Sequence, residues 1–150
     1  GNVGLLSQSG NYLGIDMHRP AIDHCSEKFP QFNFQCTRVE DIPEEFSSNK
    51  FDSIYILDVL EHIDDQLAIL KSTQNYLTRT GKILLTVPAF EFLWSPHDDF
   101  VHHVRRYTKN GLKKTLLTLE YMSIRSQKKN FSIKWTFHIM KLKLQSMAKI

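Results

Sequence analysis

One segment of the chain, residues 89–107, concentrates side chains that can do chemistry. It reads AFEFLWSPHDDFVHHVRRY and holds three histidines, two adjacent aspartates and two adjacent arginines. Histidine is the natural general base for an acceptor hydroxyl, because its unperturbed pKa of about 6.5 lies near neutrality. Arg105 and Arg106 suit a carboxylate or phosphate on a substrate, or they pair with Asp98 and Asp99 and close the segment on itself. Histidine and aspartate also ligate metals, but no strong metal-binding spacing occurs, and we predict no metal site.

A second candidate is Asp16, which ends the short apolar run Tyr12–Asp16. A carboxylate at the tip of a strand can accept hydrogen bonds from both hydroxyls of a ribose. The opening residues, GNVGLL, are similar to the last glycine of a nucleotide-binding turn running into its helix. The full glycine motif would then begin upstream of Gly1, at the expected separation of about 20 residues from the acid. An aspartate that simply caps the next helix is the alternative.

The elements that must position these residues alternate between strand and helix. The predicted strands are Tyr12–Asp16, Phe32–Cys36, Phe51–Leu57, Lys82–Val87 and Met122–Gln127. The predicted helices are Arg19–Lys28, Asp64–Leu77, Thr108 to about Leu119, and Ile133–Ala148. This order predicts an α/β fold, a doubly wound, Rossmann-like and mostly parallel sheet with helices on both faces. Strands such as Phe51–Leu57 are almost continuously apolar, which predicts burial on both faces. Ligands of such sheets bind beyond the carboxyl ends of the strands.

Composition limits the class of protein. The 150 residues, 41% of them hydrophobic and 23% charged, predict one globular domain and argue against disorder. No apolar run approaches a membrane span and no signal peptide is visible, so we expect a cytoplasmic protein. The two cysteines, Cys25 and Cys36, lack the spacing of a zinc site or a disulfide framework.

Charge is distributed unevenly along the chain. Fifteen of the 16 acidic residues lie within residues 1–100, whereas 12 of the 19 lysines and arginines lie within residues 101–150. The final stretch, FSIKWTFHIMKLKLQSMAKI, mixes aromatic, aliphatic and basic residues. It predicts either a helix that covers the sheet with snorkelling lysines or a peripheral membrane contact. No recognised nucleic-acid motif accompanies the charge, and we predict no nucleic-acid partner.

The phrase FDSIYILDVLEHI at 51–63, followed by TGKILLTVP at 80–88, resembles the fourth and fifth strands of class I S-adenosylmethionine-dependent methyltransferases. The phrases WSPHD and RRYT of residues 94–108 are similar to those of bacterial methyltransferases in this group. The resemblance spans roughly residues 1–120 and implies S-adenosylmethionine as cofactor and methyl transfer as reaction. It also implies that residues 1–150 are a single methyltransferase domain, truncated at its N-terminus within the cofactor loop and lacking the first strand.

The resemblance assigns cofactor contacts residue by residue. It implies that Gly1 is the last glycine of the cofactor loop, that Asp16 binds the ribose, and that Met17 packs on the adenine. Arg38 falls where the family commonly has an aspartate that meets the adenine amino group, and an arginine cannot accept that hydrogen bond. The backbone of Val39 carries the contact instead, or Glu40 or Asp41 replaces the aspartate. The residues implied to line the methionine end of the cofactor are Leu57 and Asp58.

The segment after the fifth strand shapes the acceptor pocket in the family. The residues implied to bind the acceptor here are Trp94, His102, Arg105 and Tyr107, and His97 is the candidate base because it is the histidine closest to the strand tip. Glu61 and His62 we interpret as a network that fixes the turn before a helix. The acceptor class is a small molecule, a glycan or a lipid-linked compound. Two alternatives remain: a methyltransferase-like module without turnover, and a nicotinamide-dependent oxidoreductase, which does not account for FDSIYILDVLEHI.

Overall fold

The computed structural model of the chain describes residues 12–47 and 51–125. The chain divides into two compact units, Gly1–Asn49 and Lys50–Ile150, and each is described by itself. The predicted glycine at position 1 and the predicted helix Ile133–Ala148 lie outside the described residues. Among the residues that are described, none of the helices has the length and apolar character needed to cross a membrane.

The first unit is built on a β-α-β motif. Its strands β1 (Leu13–Asp16) and β2 (Asn33–Cys36) pair in parallel, and helix α1 (Arg19–Lys28) connects them. The register sets Asp16 opposite Cys36, so both strands end at the same edge. Pro20 occupies the first turn of α1, where its missing N–H costs nothing. A 3-10 turn over Val39–Asp41 and the short helix α2 (Glu44–Ser47) follow β2.

Aromatic side chains determine the packing of the first unit. The ring of Tyr12 lies 5.1 Å from that of Phe32 and 5.6 Å from that of Phe34. A Cβ atom at Gly14 would lie only 2.6 Å from Cδ1 of the Phe34 ring. Glycine at this position therefore lets the ring lie directly against the backbone of β1. Among the described residues of this unit, the buried aliphatic side chain is Ile22 of α1.

The second unit contains a second parallel pair, β3 (Phe51–Leu57) and β4 (Leu77–Thr86). Between them lie a 3-10 turn over Leu60–His62 and helix α3 (Gln66–Gln74), whose N-cap Asp65 accepts a hydrogen bond from the Ala68 N–H. After β4 come a 3-10 turn over Glu91–Leu93, the short helix α4 (Pro96–Phe100) and the long helix α5 (Lys109–Arg125). The parallel pairing in both units confirms the predicted α/β class.

One hydrophobic core holds the second unit together. Leu60, Leu70 and Leu119 are its most completely buried aliphatic side chains. Each contributes roughly 1.5–3 kcal/mol by leaving water. The remaining core residues come from both strands, from the segment before α5 and from α5 itself: Ile56, Leu77, Ile83, Leu85, Tyr107, Leu112 and Leu116.

The prediction that Phe51–Leu57 and Lys82–Val87 are buried on both faces is wrong for this unit. Along β4 burial alternates, with Ile83 and Leu85 buried and Leu84 between them exposed. Tyr55, the register partner of Leu84, is exposed as well. Within this unit the core therefore lies on one face of the strand pair, and the apolar residues of the other face meet solvent.

Several element boundaries differ from their predictions. Leu77 belongs to β4 and not to the preceding helix, so β4 begins before the predicted start at Lys82. The predicted strand Met122–Gln127 is wrong over residues 122–125, which are the last turn of α5. The physical reason is that Leu112, Leu116 and Leu119 carry the helix along the core, and neither glycine nor proline occurs between 112 and 125 to stop it.

Candidate active site

Asp16 ends β1 with its carboxylate exposed. Its Oδ1 accepts a hydrogen bond of 2.8 Å from the backbone N–H of His18, the N-cap residue of α1. The backbone carbonyl of Asp16 accepts from the Thr37 N–H at 3.1 Å and so ties the tip of β1 to the end of β2. The contact with His18 is a local turn and not a helix cap, because it reaches the N-cap residue itself and α1 has no side-chain cap hydrogen bond. It occupies only part of the carboxylate, which offers about four lone-pair sites.

The neighbouring predicted cofactor residues are accessible. Met17 is 71% exposed. Arg38 is exposed and points its guanidinium at Glu40, with Nε 3.7 Å from Oε2. Val39 begins the 3-10 turn, and the Thr37 hydroxyl closes that turn on the carbonyl of Asp41 at 3.0 Å. The first unit thus presents an acid, an apolar side chain and a rigid turn beside the ends of its two strands.

Asp58 follows β3 in a strained backbone conformation. Its φ is +53°, in the left-handed region that aspartate tolerates better than most residues. Thr86 at the end of β4 holds it there, since the Thr86 hydroxyl donates to Asp58 Oδ1 at 3.0 Å and the Asp58 N–H donates to the Thr86 carbonyl at 3.2 Å. Leu57, the last residue of β3, pairs with Thr86 and is partly buried. Strain of this kind is concentrated at functional sites.

The segment 89–107 is largely folded. Phe90 donates its N–H to the Tyr107 carbonyl at 2.8 Å, and Tyr107 donates its N–H to the Pro88 carbonyl at 2.9 Å, so the two ends of the segment run side by side. Helix α4 begins with a capping box, in which the Ser95 side chain accepts from the Asp98 N–H and the Asp98 carboxylate accepts from the Ser95 N–H at 2.8 Å. Pro96 then supplies the fixed φ of the first helical position.

Asp98 is the centre of this segment and is fully buried. Arg106 donates two hydrogen bonds to its carboxylate, from Nε to Oδ1 at 2.8 Å and from Nη2 to Oδ2 at 2.9 Å. Oδ1 also receives His103 Nδ1 at 2.8 Å, and Oδ2 receives the N–H and the hydroxyl of Ser95. Above all the hydrogen bond from Arg106, helped by those from His103 and Ser95, holds the pKa of Asp98 well below its usual range. We call Ser95, Asp98, His103 and Arg106 the Asp98 network.

Glu61 lies next to this network on the 3-10 turn after β3. It is 1% exposed, and its Oε1 is 4.0 Å from Nε2 of His103. Burial raises the pKa of Glu61, partly opposed by a hydrogen bond from its own backbone. The Glu61 carbonyl accepts from the Val104 N–H at 2.8 Å, which binds the turn to the later segment. The ring of His62 contacts the ring of His103 edge-on, with centroids 4.7 Å apart.

The residues predicted to handle the acceptor occupy different environments. His97 is exposed on α4, and within the described part of the chain its imidazole has no hydrogen-bond partner. Trp94 donates from Nε1 to Asp99 at 3.0 Å, and His102 is exposed with φ of +59°. Arg105 donates to the carbonyl of Asp64 at 3.0 Å.

Tyr107 is the predicted acceptor residue that the structure places in the core. Its hydroxyl lies 3.1 Å from the Leu60 carbonyl and 2.9 Å from Oε1 of Gln66. Burial raises the pKa of Tyr107 to about 12. Its side chain therefore joins the segment to the turn over Leu60–His62 and does not line an open surface. Whether His97, Trp94, His102 or Arg105 touches an acceptor stays a prediction.

Sequence reasoning held open the pairing of an arginine with Asp98, but it did not anticipate the contacts of His103 and Ser95 with that carboxylate or the burial of Glu61. A local signal existed for part of it, since S-P-H-D at 95–98 has the spacing of a capping box. The alternative that the arginines pair with the aspartates holds for Arg106 and Asp98. No local signal identifies the approach of His103 to Glu61, because 42 residues separate them in the chain.

A family model described as a methyltransferase domain matches residues 3–83 of the chain. The match runs from before β1 into β4, so it includes both Asp16 and Asp58, and it covers more than half of the sequence. No curated protein matches the chain. The resemblance read from residues 51–63 and 80–88 is confirmed by this match. The chain belongs to the methyltransferase-domain family, and its parallel strands and intervening helices are those of a Rossmann-like α/β fold.

Proposed function

We propose that the chain transfers a methyl group from S-adenosylmethionine to a small-molecule, glycan or lipid-linked acceptor. The observation that carries this proposal is Asp16, an exposed carboxylate fixed at the carboxyl end of β1 within the matched region. One backbone N–H occupies Oδ1, and the remaining lone pairs can accept from the two ribose hydroxyls of the cofactor.

The other contacts in the first unit suit the adenosine part of the cofactor. Met17 offers an exposed thioether side chain that can pack on an adenine ring. The turn over Val39–Asp41 is held by the Thr37 hydroxyl and presents backbone groups that can read the edge of the base. Arg38, paired with Glu40, does not supply the acceptor atom that an aspartate would.

Asp58 and Leu57 are proposed to meet the methionine end of the cofactor. The Asp58 carboxylate is oriented by the Thr86 hydroxyl and can accept hydrogen bonds from an ammonium group. The backbone strain at Asp58 supports a binding role, because a residue is held in such a conformation only where the surrounding structure enforces it. When bound, the cofactor would supply a methyl group on a sulfonium, which passes to the acceptor by in-line displacement with release of the thioether, a transfer that needs mainly alignment.

His97 is proposed as the base that takes the proton of the acceptor as the methyl group arrives. Its imidazole is exposed, and an unengaged ring can accept a proton from an approaching hydroxyl. Two exposed aromatic side chains, Phe92 and Phe100, both 80% exposed, lie close to it in sequence. An exposed aromatic ring offers a flat apolar face that can pack on a sugar or a lipid. Whether the protein is cytoplasmic, contacts a membrane through its basic end or avoids nucleic acid stays a prediction.

Calorimetric titration of the chain with S-adenosylhomocysteine tests the cofactor. We expect micromolar binding that Asp16→Ala abolishes, because the ribose hydroxyls lose their acceptor. Asp23→Ala is the matched control, since Asp23 is an exposed aspartate on α1, and it should bind like the unaltered chain. Equal binding by both variants would remove Asp16 from the site.

The alternative is a methyltransferase-like module that does not turn over the cofactor, and the observation that favours it is Arg38. An exposed guanidinium stands where the family commonly has an aspartate. Titration distinguishes the two proposals, because the module predicts no binding by a chain whose far-ultraviolet circular dichroism shows that it is folded. Restored binding in Arg38→Asp would identify this single position as the cause.

A further inference from the structure

In the second unit, the buried carboxylate of Glu61 lacks a hydrogen-bond partner for one of its oxygens among the described residues. Glu61 is 1% exposed, and its Oε2 has no hydrogen-bond partner among the described residues. A buried carboxylate oxygen without a partner costs free energy, typically about 1–3 kcal/mol and more when charged. Its other oxygen, Oε1, lies 4.0 Å from Nε2 of His103, beyond hydrogen-bonding distance. The gap between Glu61 Oε1 and His103 Nε2 can therefore hold an ion that contacts both atoms.

The orientation of the His103 ring is set by its hydrogen bond to Asp98. Asp98 is held as a carboxylate by Arg106, so it accepts the proton on His103 Nδ1 at 2.8 Å. A hydrogen bond at one ring nitrogen determines which nitrogen remains to act as a ligand, and here that atom is Nε2. A metal-binding histidine usually donates the N–H of one ring nitrogen to a carboxylate and binds the ion through the other nitrogen. His103 has this arrangement, with Asp98 at Nδ1 and Nε2 left open.

His62 offers a third donor atom, on the solvent side of the pair. It is adjacent to Glu61 on the 3-10 turn, and its ring contacts that of His103 with centroids 4.7 Å apart. One donor atom from each of Glu61, His62 and His103 lies within 4.8 Å of the others. Because His62 is exposed, an ion can reach the site from water, whereas Glu61 closes its inner side.

Two hydrogen bonds hold the ligand-bearing segments together. The Val104 N–H donates to the Glu61 carbonyl at 2.8 Å, and the Tyr107 hydroxyl lies 3.1 Å from the Leu60 carbonyl. Ligand atoms of a tetrahedral ion lie roughly 3.4 Å apart, from metal–ligand distances of about 2.0–2.2 Å. Since the donor atoms lie within 4.8 Å of one another, they need to approach by at most about 1.4 Å to hold such an ion.

We propose that Glu61, His62 and His103 bind one divalent first-row transition-metal ion. Two imidazole nitrogens and one carboxylate oxygen favour zinc, manganese or iron over magnesium or calcium, which prefer oxygen alone. Three protein ligands leave at least one position open to water or a substrate oxygen. The ion supplies the positive charge that the buried Glu61 carboxylate lacks. The site does not depend on the proposed methyl transfer, since it is measured without cofactor or acceptor.

Titration of the chelator-treated chain with Zn²⁺, followed by calorimetry, tests the site. Co²⁺ serves as a spectroscopic probe, because its visible absorption reports nitrogen and oxygen ligation. We expect one ion per chain. His62→Ala should weaken Zn²⁺ binding at least about tenfold. Replacing a residue that only hydrogen-bonds to a metal ligand already costs about that much, and His62 would be a ligand itself. Glu61→Gln should weaken Zn²⁺ binding similarly while keeping the volume of the side chain.

His24→Ala is the matched control, because His24 is an exposed histidine on α1 outside the cluster. It should bind Zn²⁺ like the unaltered chain. His62→Ala keeps the test decisive if the buried Glu61 variant does not fold, since an exposed histidine tolerates replacement. The proposal is overturned if a folded, unaltered chain binds no Zn²⁺ at millimolar concentration. It is equally overturned if His62→Ala binds as tightly as the unaltered chain, or if His24→Ala loses as much affinity.

Discussion

The first unit and the segment 89–107 use their polar side chains in opposite ways. Around the end of β1, Asp16 and Met17 are exposed and make few contacts. In the Asp98 network, by contrast, one buried carboxylate collects hydrogen bonds from three other side chains. The difference teaches that polar residues crowded in a sequence need not be available for a ligand. Mutual hydrogen bonds can consume them, whereas an isolated acid at a strand end stays free to bind.

The largest effect expected from this contrast is at Asp98. Asp98→Asn leaves the Arg106 guanidinium, which is almost buried, without a counter-charge. Breaking a buried pair in this way lowers the free energy of unfolding by about 3–5 kcal/mol. Urea denaturation followed by circular dichroism measures it.

Asp99→Asn is the control for that measurement. Asp99 is adjacent and exposed, and it accepts one hydrogen bond, from Trp94 Nε1. Its replacement should change the free energy of unfolding by less than about 1 kcal/mol. Similar losses in both variants would mean that the Asp98 network does not hold the segment.

An intermediate effect is expected at Tyr107. Tyr107→Phe keeps the buried ring but removes the hydroxyl beside the Leu60 carbonyl, and we expect a loss of about 1 kcal/mol. Tyr55→Phe alters an exposed tyrosine of β3 and should be neutral. Thermal denaturation compares the two variants, and an equal change in both would show that the hydroxyl of Tyr107 contributes nothing.

The smallest effect on stability is expected at Met17. Because its side chain is largely exposed, Met17→Ala should change the free energy of unfolding by no more than about 0.5 kcal/mol. Its affinity for S-adenosylhomocysteine should nevertheless fall, since the adenine loses an apolar contact. Calorimetry and denaturation of the same preparation separate the two quantities. If Met17→Ala lost stability without a change in affinity, Met17 would be a structural residue like those of the Asp98 network and not a cofactor contact.

Local patterns predicted most elements of the fold. Arg19–Lys28 and Phe51–Leu57 have the predicted bounds, because proline in a first helical turn and a short apolar run act within a few residues. Failures occurred where distant packing decided. Leu77 follows a helical pattern yet pairs with Phe51 in the strands, and Met122 belongs to a helix that continues because its leucines meet the core.

The sequence by itself determined the family, the α/β class and the acids at the ends of the first and third strands. Those features depend on residue types and short spacings, because strands and turns form from residues that are close together in the sequence. Only the tertiary structure decided that Asp98 is bound by Arg106 and His103, that Tyr107 is in the core, and that a buried Glu61 faces His103. Such contacts join segments separated along the chain. Burial and hydrogen bonding depend on which segments the fold brings together, and no local pattern contains that information.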